Sequence, residues 1–346
     1  MPNKVWRGGM IGAGAWSEVQ LTAWADVRNA EIVALCDRHA DRRNPVVQRF
    51  GISQGFDDFE TMLDEAHLDF VDICTRPYSH APLVKLAAER RLSVLCQKPF
   101  CTSLDEAREV VGLCHRAGVR LMINENFRWQ AWYREAKELL NTGVLGKPFL
   151  AMVHQRIRMT LPEFDHRQTY LSEMPQLIVY EVGVHYSDTF RFLFGEPDSI
   201  YARLHHISPY VKGEDVQLIT LGYQALTGVI NNSWASVPVP GLDRPEADQR
   251  RLSPPRLEID GTQGTLILEC DGSLNLITDN EHQNWQFSED TIPKSHIAAQ
   301  QHFIDCLESG AEFETNGLET LKTMSLVYAC YLSAREGRVI NPEQLH

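Results

Sequence analysis

Several features that would point to particular classes of protein are absent from this 346-residue sequence. No apolar run approaches the ~20 residues that a membrane-spanning helix needs, so we expect no membrane partner. Basic residues number 33 against 46 acidic ones, and the net charge of −13 opposes binding to nucleic-acid phosphates. Lys4 and Arg7 precede a glycine-rich turn and not the apolar core of a signal peptide. We therefore expect a cytoplasmic protein.

Motifs of other enzyme classes are missing as well. The eight cysteines form no C-x-x-C pair, and Cys36, Cys74 and Cys96 each end a short apolar run. We interpret them as reduced thiols. His205 and His206 and the scattered carboxylates lack the ligand spacing of a metal site, so we predict no metal. No Gly-x-Ser-x-Gly segment is present.

The first ~125 residues alternate short apolar runs with amphipathic stretches. The predicted strands are Gly8–Ile11, Ile32–Cys36, Phe70–Cys74, Ser93–Cys96 and Arg120–Ile123. Continuous apolar runs are typical of strands buried on both faces of a parallel sheet. Helical stretches lie between them, and Ser103 with Glu106 predicts a capping box at the start of Leu104–Ala117. The pattern predicts a doubly wound α/β domain over residues 1–125.

The pattern changes after about Phe127. Predicted helices are Trp132–Asn141, Ile178–Phe194, His296–Leu307 and Leu318–Arg335. Predicted strands are Ala151–Met159, Ser199–Ile207, Val216–Tyr223, Gly228–Trp234, Arg256–Ile259, Thr265–Leu268 and Leu274–Ile277, with a long loop at Pro238–Pro255. Several strands alternate apolar and polar residues, which indicates a mainly antiparallel sheet with unlike faces. We predict a second α/β domain over residues 126–346.

A glycine-rich turn follows the first predicted strand, with the sequence Gly12-Ala-Gly14-Ala-Trp-Ser17. Gly12 permits a tight turn, Gly14 lets the backbone approach a pyrophosphate, and Ser17 stands where a third glycine or alanine is usual. The helix that begins in this turn directs free N–H groups toward phosphates. Trp16 is then placed beside a nicotinamide or in the core. A turn in a nucleotide-free domain is the alternative.

An acidic residue ends the second predicted strand. Asp37 follows Gly14 by 23 residues, where a carboxylate accepts hydrogen bonds from an adenosine ribose. A carboxylate there repels a 2′-phosphate and favours NAD, whereas Arg38, Arg42 and Arg43 offer charges that would pair with one. We predict NAD as the cofactor, with NADP as the alternative.

Polar segments lie at three further strand ends, where doubly wound folds bind ligands. They are Thr75-Arg-Pro77-Tyr-Ser-His80, Gln97-Lys98-Pro99 and Asn124-Glu-Asn126-Phe-Arg128. A fourth segment, Glu181-Val-Gly-Val-His185-Tyr-Ser-Asp188, lies in a predicted helix, where Glu181, His185 and Asp188 share one face. With the glycine turn, these segments make the chain resemble the glucose–fructose oxidoreductase and inositol dehydrogenase (Gfo/Idh/MocA) family over nearly its full length.

The resemblance implies a Rossmann domain followed by an α/β domain whose large open sheet often forms an oligomer interface, hence a homodimer or homotetramer. It implies a catalytic Lys98 in a Glu-Lys-Pro signature with a cis peptide before Pro99, and an Asp-x-x-x-His pair that falls on Glu181 and His185. This chain departs from the family at Gln97 and at Glu181. The predicted cofactor-binding residues are Gly12, Gly14, Ala15, Trp16, Asp37, Arg38, Thr75, Pro77, His80, Gln97, Lys98 and Asn126.

Hydride transfer from an alcohol needs a base for the hydroxyl proton, and a histidine titrates in the appropriate range. We therefore predict His185 as the base, Glu181 or Asp188 as the residue that orients it, and Lys98 as the donor that stabilises alkoxide character. Predicted substrate contacts are Lys98, Arg128, Arg156 and His185. His154, Arg156 and Arg158 alternate onto one strand face, where salt bridges or a subunit interface are the alternatives.

The leading hypothesis is an NAD(P)-dependent oxidoreductase for a small-molecule substrate. It transfers a hydride between nicotinamide and a secondary alcohol or ketone of a sugar, polyol or sugar derivative. One alternative is a glycosidase-type enzyme that uses NAD for transient oxidation. Another is an inactive dinucleotide-sensing regulator. Net NADH production separates the first two, and NAD binding without turnover favours the third.

Overall fold

The computed structural model describes residues 4–157, 169–237, 254–288 and 291–345. The chain divides into two compact units, residues 1–126 with 293–322 and residues 127–292 with 323–346. A stretch close to the C-terminus thus belongs to the first unit. Arg158 and most of the predicted loop Pro238–Pro255 lie outside the described residues. Within the described ranges, no helix combines the length and the hydropathy that crossing a membrane requires.

The first unit contains a six-stranded sheet in the order β3-β2-β1-β4-β5-β6. All five strand pairs are parallel, as predicted. The strands are β1 (Trp6–Ile11), β2 (Ala30–Cys36), β3 (Gln54–Phe56), β4 (Phe70–Ile73), β5 (Ser93–Gln97) and β6 (Leu121–Asn124), and the helices are α1 (Ala15–Trp24), α2 (Ala40–Phe50), α3 (Phe59–Glu65), α4 (His80–Glu89) and α5 (Leu104–Ala117). The strand order reverses between β1 and β4, which is where such sheets bind ligands.

The start of α5 differs in detail from the predicted capping box. The Ser103 hydroxyl accepts from the Glu106 N–H at 3.1 Å, as expected of an N-cap. The Glu106 carboxylate, however, accepts from the N–H of Thr102 at 3.0 Å and from its hydroxyl, one residue before the N-cap. The Glu106 side chain thus reaches one residue farther than in a capping box, and its carboxylate accepts hydrogen bonds from two donors of Thr102.

The second unit contains an eight-stranded sheet in the order β14-β13-β12-β11-β7-β10-β9-β8. Its pairs are antiparallel except for β7 with β10. The strands are β7 (Pro148–Arg156), β8 (Ser199–His205), β9 (Val216–Gly222), β10 (Thr227–Ser233), β11 (Arg256–Gly261), β12 (Gly264–Leu268), β13 (Ser273–Thr278) and β14 (His282–Gln286), and the helices are α6 (Ala131–Thr142) and α7 (Val184–Phe194). Most of α8 (Thr291–Ser309) belongs to the first unit, and α9 (Gly317–Glu336) enters the second unit at Thr323. The two units together confirm the predicted α/β fold class.

The two faces of the second sheet are unlike, as the alternation predicted. Ile219 and Ile230 are fully buried on the face that α7 covers. A Cβ atom on Gly228 would lie 2.7 Å from the Phe190 ring, so α7 packs directly on this strand. Leu218 and Ile277 lie on the other face and are 45% and 43% exposed.

All eight cysteines are buried. Burial raises the pKa of Cys36 to about 12 and that of Cys114 to about 11. Thiols with such pKa values are almost entirely protonated near neutral pH and are poor nucleophiles. The cysteines therefore belong to the packing of the protein.

One carboxylate lies inside the first sheet. Asp72, in β4, is completely buried, between Met10 and Leu95 in the neighbouring strands. The indole N–H of Trp24 donates to Oδ2 at 2.8 Å. Burial outweighs this hydrogen bond and raises the pKa of Asp72 from 3.8 to about 7. The folded protein therefore prefers this side chain protonated.

Asp72→Asn is expected to remove a pH dependence of stability. The pKa of this aspartate is near 3.8 in the unfolded chain and about 7 in the folded protein, so folding binds a proton between these pH values. The wild type therefore loses stability as pH rises through this window. The free energy of unfolding of the variant relative to wild type should rise by roughly 2–3 kcal/mol between pH 5 and pH 8. Urea titrations at both pH values measure this, and parallel pH profiles would contradict it.

Candidate active site

The glycine turn has the geometry that a dinucleotide needs. Gly12 has φ +101°, and a Cβ atom there would lie 2.3 Å from the carbonyl oxygen of Cys74, so no other residue fits. The space beside the Cα atom of Gly14 is open to at least 4 Å. Gly14 is the N-cap of α1 and has no side chain that could bond to the first N–H groups of that helix. These groups are available for an anion.

Ser17 fits the third position of the motif. Its side chain is completely buried, and its hydroxyl donates to the Cys74 carbonyl oxygen at 3.4 Å. A small side chain is required there because helix and strand approach closely. The hydroxyl satisfies its own hydrogen-bonding need within that contact.

Asp37 is held against the glycine turn. One carboxylate oxygen accepts from the Ala13 N–H at 2.9 Å, and the other accepts from the His39 N–H at 2.9 Å. The nearby arginines are directed differently, since Arg43 donates to the Asp37 backbone carbonyl at 2.8 Å and Arg38 to the His39 ring at 3.2 Å. A fixed carboxylate at this position favours an unphosphorylated ribose.

His80 connects two of the predicted segments. It is completely buried, with Nε2 3.0 Å from the Thr75 carbonyl oxygen. Nδ1 lies 3.1 Å from the Pro99 carbonyl and 2.9 Å from the Phe100 carbonyl. Burial lowers the pKa of His80. The ring thus ties the loop after β4 to the loop after β5, where the Lys98–Pro99 peptide is cis as predicted.

Three of the predicted cofactor contacts in these two loops are less deeply buried than His80. The Ser79 hydroxyl donates to the Thr75 hydroxyl at 2.8 Å, and Pro77 begins a one-turn 3₁₀ helix, Pro77–Ser79. Thr75, Pro77 and Lys98 are each half-buried. Their predicted contacts with the cofactor remain predictions.

Gln97, which departs from the family signature, lies in a buried position. It is 4% exposed at the end of β5, and within the described part of the chain its Nε2 has no hydrogen-bond partner. Asn124 is its register partner on β6, and the Asn124 amide donates to Gln20 Oε1 at 2.8 Å. An unpaired ionised carboxylate in a buried position costs about 3–5 kcal/mol. The uncharged amide avoids that cost but leaves its Nε2 without a partner among the described residues.

The C-terminal segment adds polar residues that the sequence analysis did not identify. Gln300 donates to Gln20 Oε1 at 2.7 Å, and the His296 ring lies 3.3 Å from Gln20 Nε2. The His296 ring also packs edge-on against Trp16, with 5.6 Å between centroids. Asn126 donates to the Ser295 hydroxyl at 2.7 Å. These contacts fix the positions of Trp16 and Asn126 within the first unit.

In the second unit, the predicted helix Ile178–Phe194 is not a single α-helix. Its first turn, Val179–Gly183, is π-helical, and α7 follows. Glu181 lies in this turn, so its position relative to His185 differs from the α-helical spacing that was predicted. Such turns are frequent at functional sites.

His185 is fixed by an aromatic contact. It is 6% exposed, and its ring stacks on that of Phe127 with centroids 3.9 Å apart and 5° between planes. Phe127 belongs to the short helix Asn126–Trp129 that follows β6. The stack restricts rotation of the imidazole, which a general base benefits from.

Arg128 and Asp188 form a buried ion pair. The Arg128 guanidinium donates to the two carboxylate oxygens at 2.5 and 2.9 Å, and the Thr323 hydroxyl donates at 2.9 Å. Burial raises the pKa of Asp188, but the charges of Arg128 and Arg191 and the hydrogen bonds outweigh it and hold the pKa below its ordinary value. Two hydrogen bonds direct the Arg128 guanidinium to Asp188, and the substrate contact predicted for Arg128 remains a prediction.

Arg156 lies across the second sheet from His185. The Tyr186 hydroxyl donates to Gln155 Oε1 at 2.8 Å, so α7 covers the face that carries Gln155. Side chains alternate along a strand, which places Arg156 on the opposite face. There its Nε lies 2.7 Å from His154 Nε2. The sheet thus separates two residues that were both predicted to contact substrate.

Among the residues that the structure describes, no three His, Cys, Asp or Glu side chains form a group able to hold a metal ion. The groups present in the first unit fit a dinucleotide instead. They are the open Gly14 backbone, the uncapped start of α1 and the Asp37 carboxylate.

Comparison with known proteins agrees with this geometry. Residues 6–125 match a family described as the oxidoreductase family with an NAD-binding Rossmann fold, and residues 133–267 match the GFO/IDH/MocA C-terminal domain. A D-apiose dehydrogenase of Paraburkholderia graminis is 38% identical over 99% of this chain and 91% of that protein. One of Rhizobium rhizogenes is 35% identical over 97% of each.

A solved structure is similar throughout. It is an oxidoreductase from Agrobacterium radiobacter in complex with NAD+, L-tartaric acid and magnesium. The TM-score is 0.90 at 34% sequence identity, over 99% of this chain and 100% of that one. The family and the NAD cofactor predicted from the sequence are thus confirmed. This chain belongs to the GFO/IDH/MocA family and is an NAD-binding oxidoreductase.

Proposed function

We propose that this protein is an NAD-dependent dehydrogenase that oxidises a small sugar, with D-apiose as the first candidate substrate. The observation that carries the proposal is the full-length similarity to two D-apiose dehydrogenases, at 38% and 35% identity. The fixed Asp37 carboxylate and the open Gly14 backbone support the cofactor part of the proposal. The buried, stacked His185 supports the catalytic part.

The proposed chemistry divides between the cofactor and the chain. NAD, when bound, supplies the hydride acceptor. His185 accepts the proton of the reacting hydroxyl, because its ring is fixed by Phe127 and a histidine is suited to proton transfer near neutral pH. Lys98 donates a hydrogen bond that stabilises alkoxide character, and Glu181 orients His185 from the π-turn.

Oligomerisation through the second sheet is part of the proposal. Its face opposite α7 exposes Leu218 and Ile277 by 45% and 43%. Arg156 and His154 lie on the same face. Apolar residues exposed on an open sheet face support a homodimer or homotetramer that covers this face.

A substrate panel tests the proposal. With NAD, the expected kcat/KM is at least ~10-fold higher for D-apiose than for D-xylose, myo-inositol or L-tartrate. A site built to hydrogen-bond a substrate hydroxyl loses about one to several kcal/mol of transition-state stabilisation with a substrate that lacks that hydroxyl. Formation of NADH is followed by absorbance. Hydrolysis of an aryl glycoside without net NADH would favour the transient-oxidation alternative. NAD binding with no turnover of any sugar would favour the regulatory one.

A further inference from the structure

We propose that Glu214 is a positioning residue for the catalytic helix, holding the start of the π-turn that carries Glu181 and leads into His185. The proposal rests on the proposed function of those two residues. Glu214 lies just before β9 and is remote in sequence from the helix it contacts. Its carboxylate acts from outside the helix.

Glu214 accepts hydrogen bonds from three consecutive backbone N–H groups. Its Oε1 accepts from Leu177 at 3.1 Å and from Val179 at 3.2 Å. Its backbone carbonyl accepts from Ile178 at 3.1 Å. The first N–H groups of a helix have no partner within the helix, and a negative charge there also complements the helix dipole. Glu214 therefore meets both needs of this helix start.

The carboxylate is itself held in place. The Tyr331 hydroxyl, on α9, donates to the same Oε1 at 2.6 Å. Burial raises the pKa of Glu214, and the hydrogen bonds from Tyr331, Val179 and Leu177 oppose that rise. The side chain is thus a fixed acceptor shared between α9 and the helix start.

The backbone on both sides of Glu214 fits closely against the same segment. A Cβ atom on Gly213 would lie 2.7 Å from the Leu177 Cβ and 2.7 Å from the Met174 carbonyl oxygen. A Cβ atom on Gly183, at the end of the π-turn, would lie 2.7 Å from Gln217 Oε1. The stretch Gly213–Gln217 therefore contacts the segment at its beginning and at the end of its π-turn.

A hydrogen-bonded path leads from this carboxylate to the site. Leu177, whose N–H is held by Glu214, accepts from the Glu181 N–H at 2.7 Å. Loss of the carboxylate frees the first turn and with it Glu181. Displacements of about 1 Å at a reacting group cost ~10²-fold in rate. The expected consequence is a loss of kcat without loss of NAD affinity.

The test compares Glu214→Ala, Glu214→Gln and Tyr331→Phe with wild type. Glu214→Ala is expected to lower kcat by ~10–100-fold. The Kd for NAD, measured by titration, should stay within ~2-fold of wild type. Amide hydrogen exchange of residues 177–185 should become faster. Glu214→Gln keeps an acceptor oxygen, so its kcat should lie within ~3-fold of wild type. The kcat of Tyr331→Phe should lie between those of Glu214→Ala and Glu214→Gln.

Glu173→Ala is the matched control, because Glu173 is an exposed glutamate nearby that pairs with exposed Lys212. Its kcat and exchange should equal those of wild type. Wild-type kcat and exchange in Glu214→Ala would overturn the proposal. If Glu214→Ala does not fold, unchanged exchange in Tyr331→Phe overturns it. If wild type turns over no sugar, the proposed function fails. Amide hydrogen exchange of residues 177–185 in Glu214→Ala then still decides whether Glu214 holds the start of the π-turn.

Discussion

His185→Ala is expected to lower kcat by ~10²–10⁴-fold, the range for removal of a general base. The ring is buried and stacked 3.9 Å from Phe127, so a water that replaces it is not fixed in the same way. Lys98→Ala should lower kcat by a comparable factor, because it removes a donor to the developing alkoxide. Steady-state rates with NAD and the preferred sugar measure both effects.

Binding measurements separate these losses from misfolding. In His185→Ala, the Kd for NAD should remain within ~2-fold of wild type, as expected when only transition-state stabilisation is lost. Lys85→Ala and His115→Ala are matched controls, since both residues are on the surface, with Lys85 paired to Glu109 at 2.6 Å and His115 in the last turn of α5. Wild-type rates in both His185→Ala and Lys98→Ala would show that the catalytic assignment is wrong.

Arg128→Ala is expected to destabilise the protein by about 3–5 kcal/mol, the cost of leaving one member of a buried pair without its partner. Asp188 is 3% exposed and receives two hydrogen bonds from Arg128. Urea unfolding at pH 7 measures the loss. The double variant Arg128→Leu/Asp188→Leu should regain much of it, because it removes both charges. A change below ~1 kcal/mol in Arg128→Ala would indicate a solvated, weak pair.

The same pair sets a second pH dependence. The pKa of Asp188 is lowered in the folded protein, so its stabilising contribution is present above the ordinary aspartate pKa and is lost as pH falls through the folded value. Asp72 acts in the opposite direction, since its raised pKa reduces stability as pH increases toward 7. The two groups together favour an intermediate pH for maximal stability.

The cofactor side was predictable because its requirements are local. Gly12 needs a positive φ and a close approach to Cys74, and only glycine provides both. Asp37 follows directly after an apolar strand, and its distance from the turn is fixed by one strand–helix–strand unit. The cis peptide before Pro99 came from the family resemblance and not from spacing.

The residues that were missed depend on contacts between distant parts of the chain. Gln20 and His296 are 276 residues apart, and no local pattern connects them. The pairing of Arg128 with Asp188, 60 residues later, was likewise not predicted. Strand β14 was missed because its residues are mostly polar and exposed. The π-turn had one local signal, a glycine at 183 inside a helical pattern.

Transfer of the substrate hydrogen to NAD tests the central claim most directly. The protein is incubated with NAD and with D-apiose that carries deuterium on its carbinol carbons, and the mass of the nicotinamide cofactor is measured. The account predicts NADH that is one mass unit heavier than the unlabelled form, in a one-to-one ratio with oxidised sugar. NADH without the label, or oxidation of the sugar with no NADH formed, would contradict it.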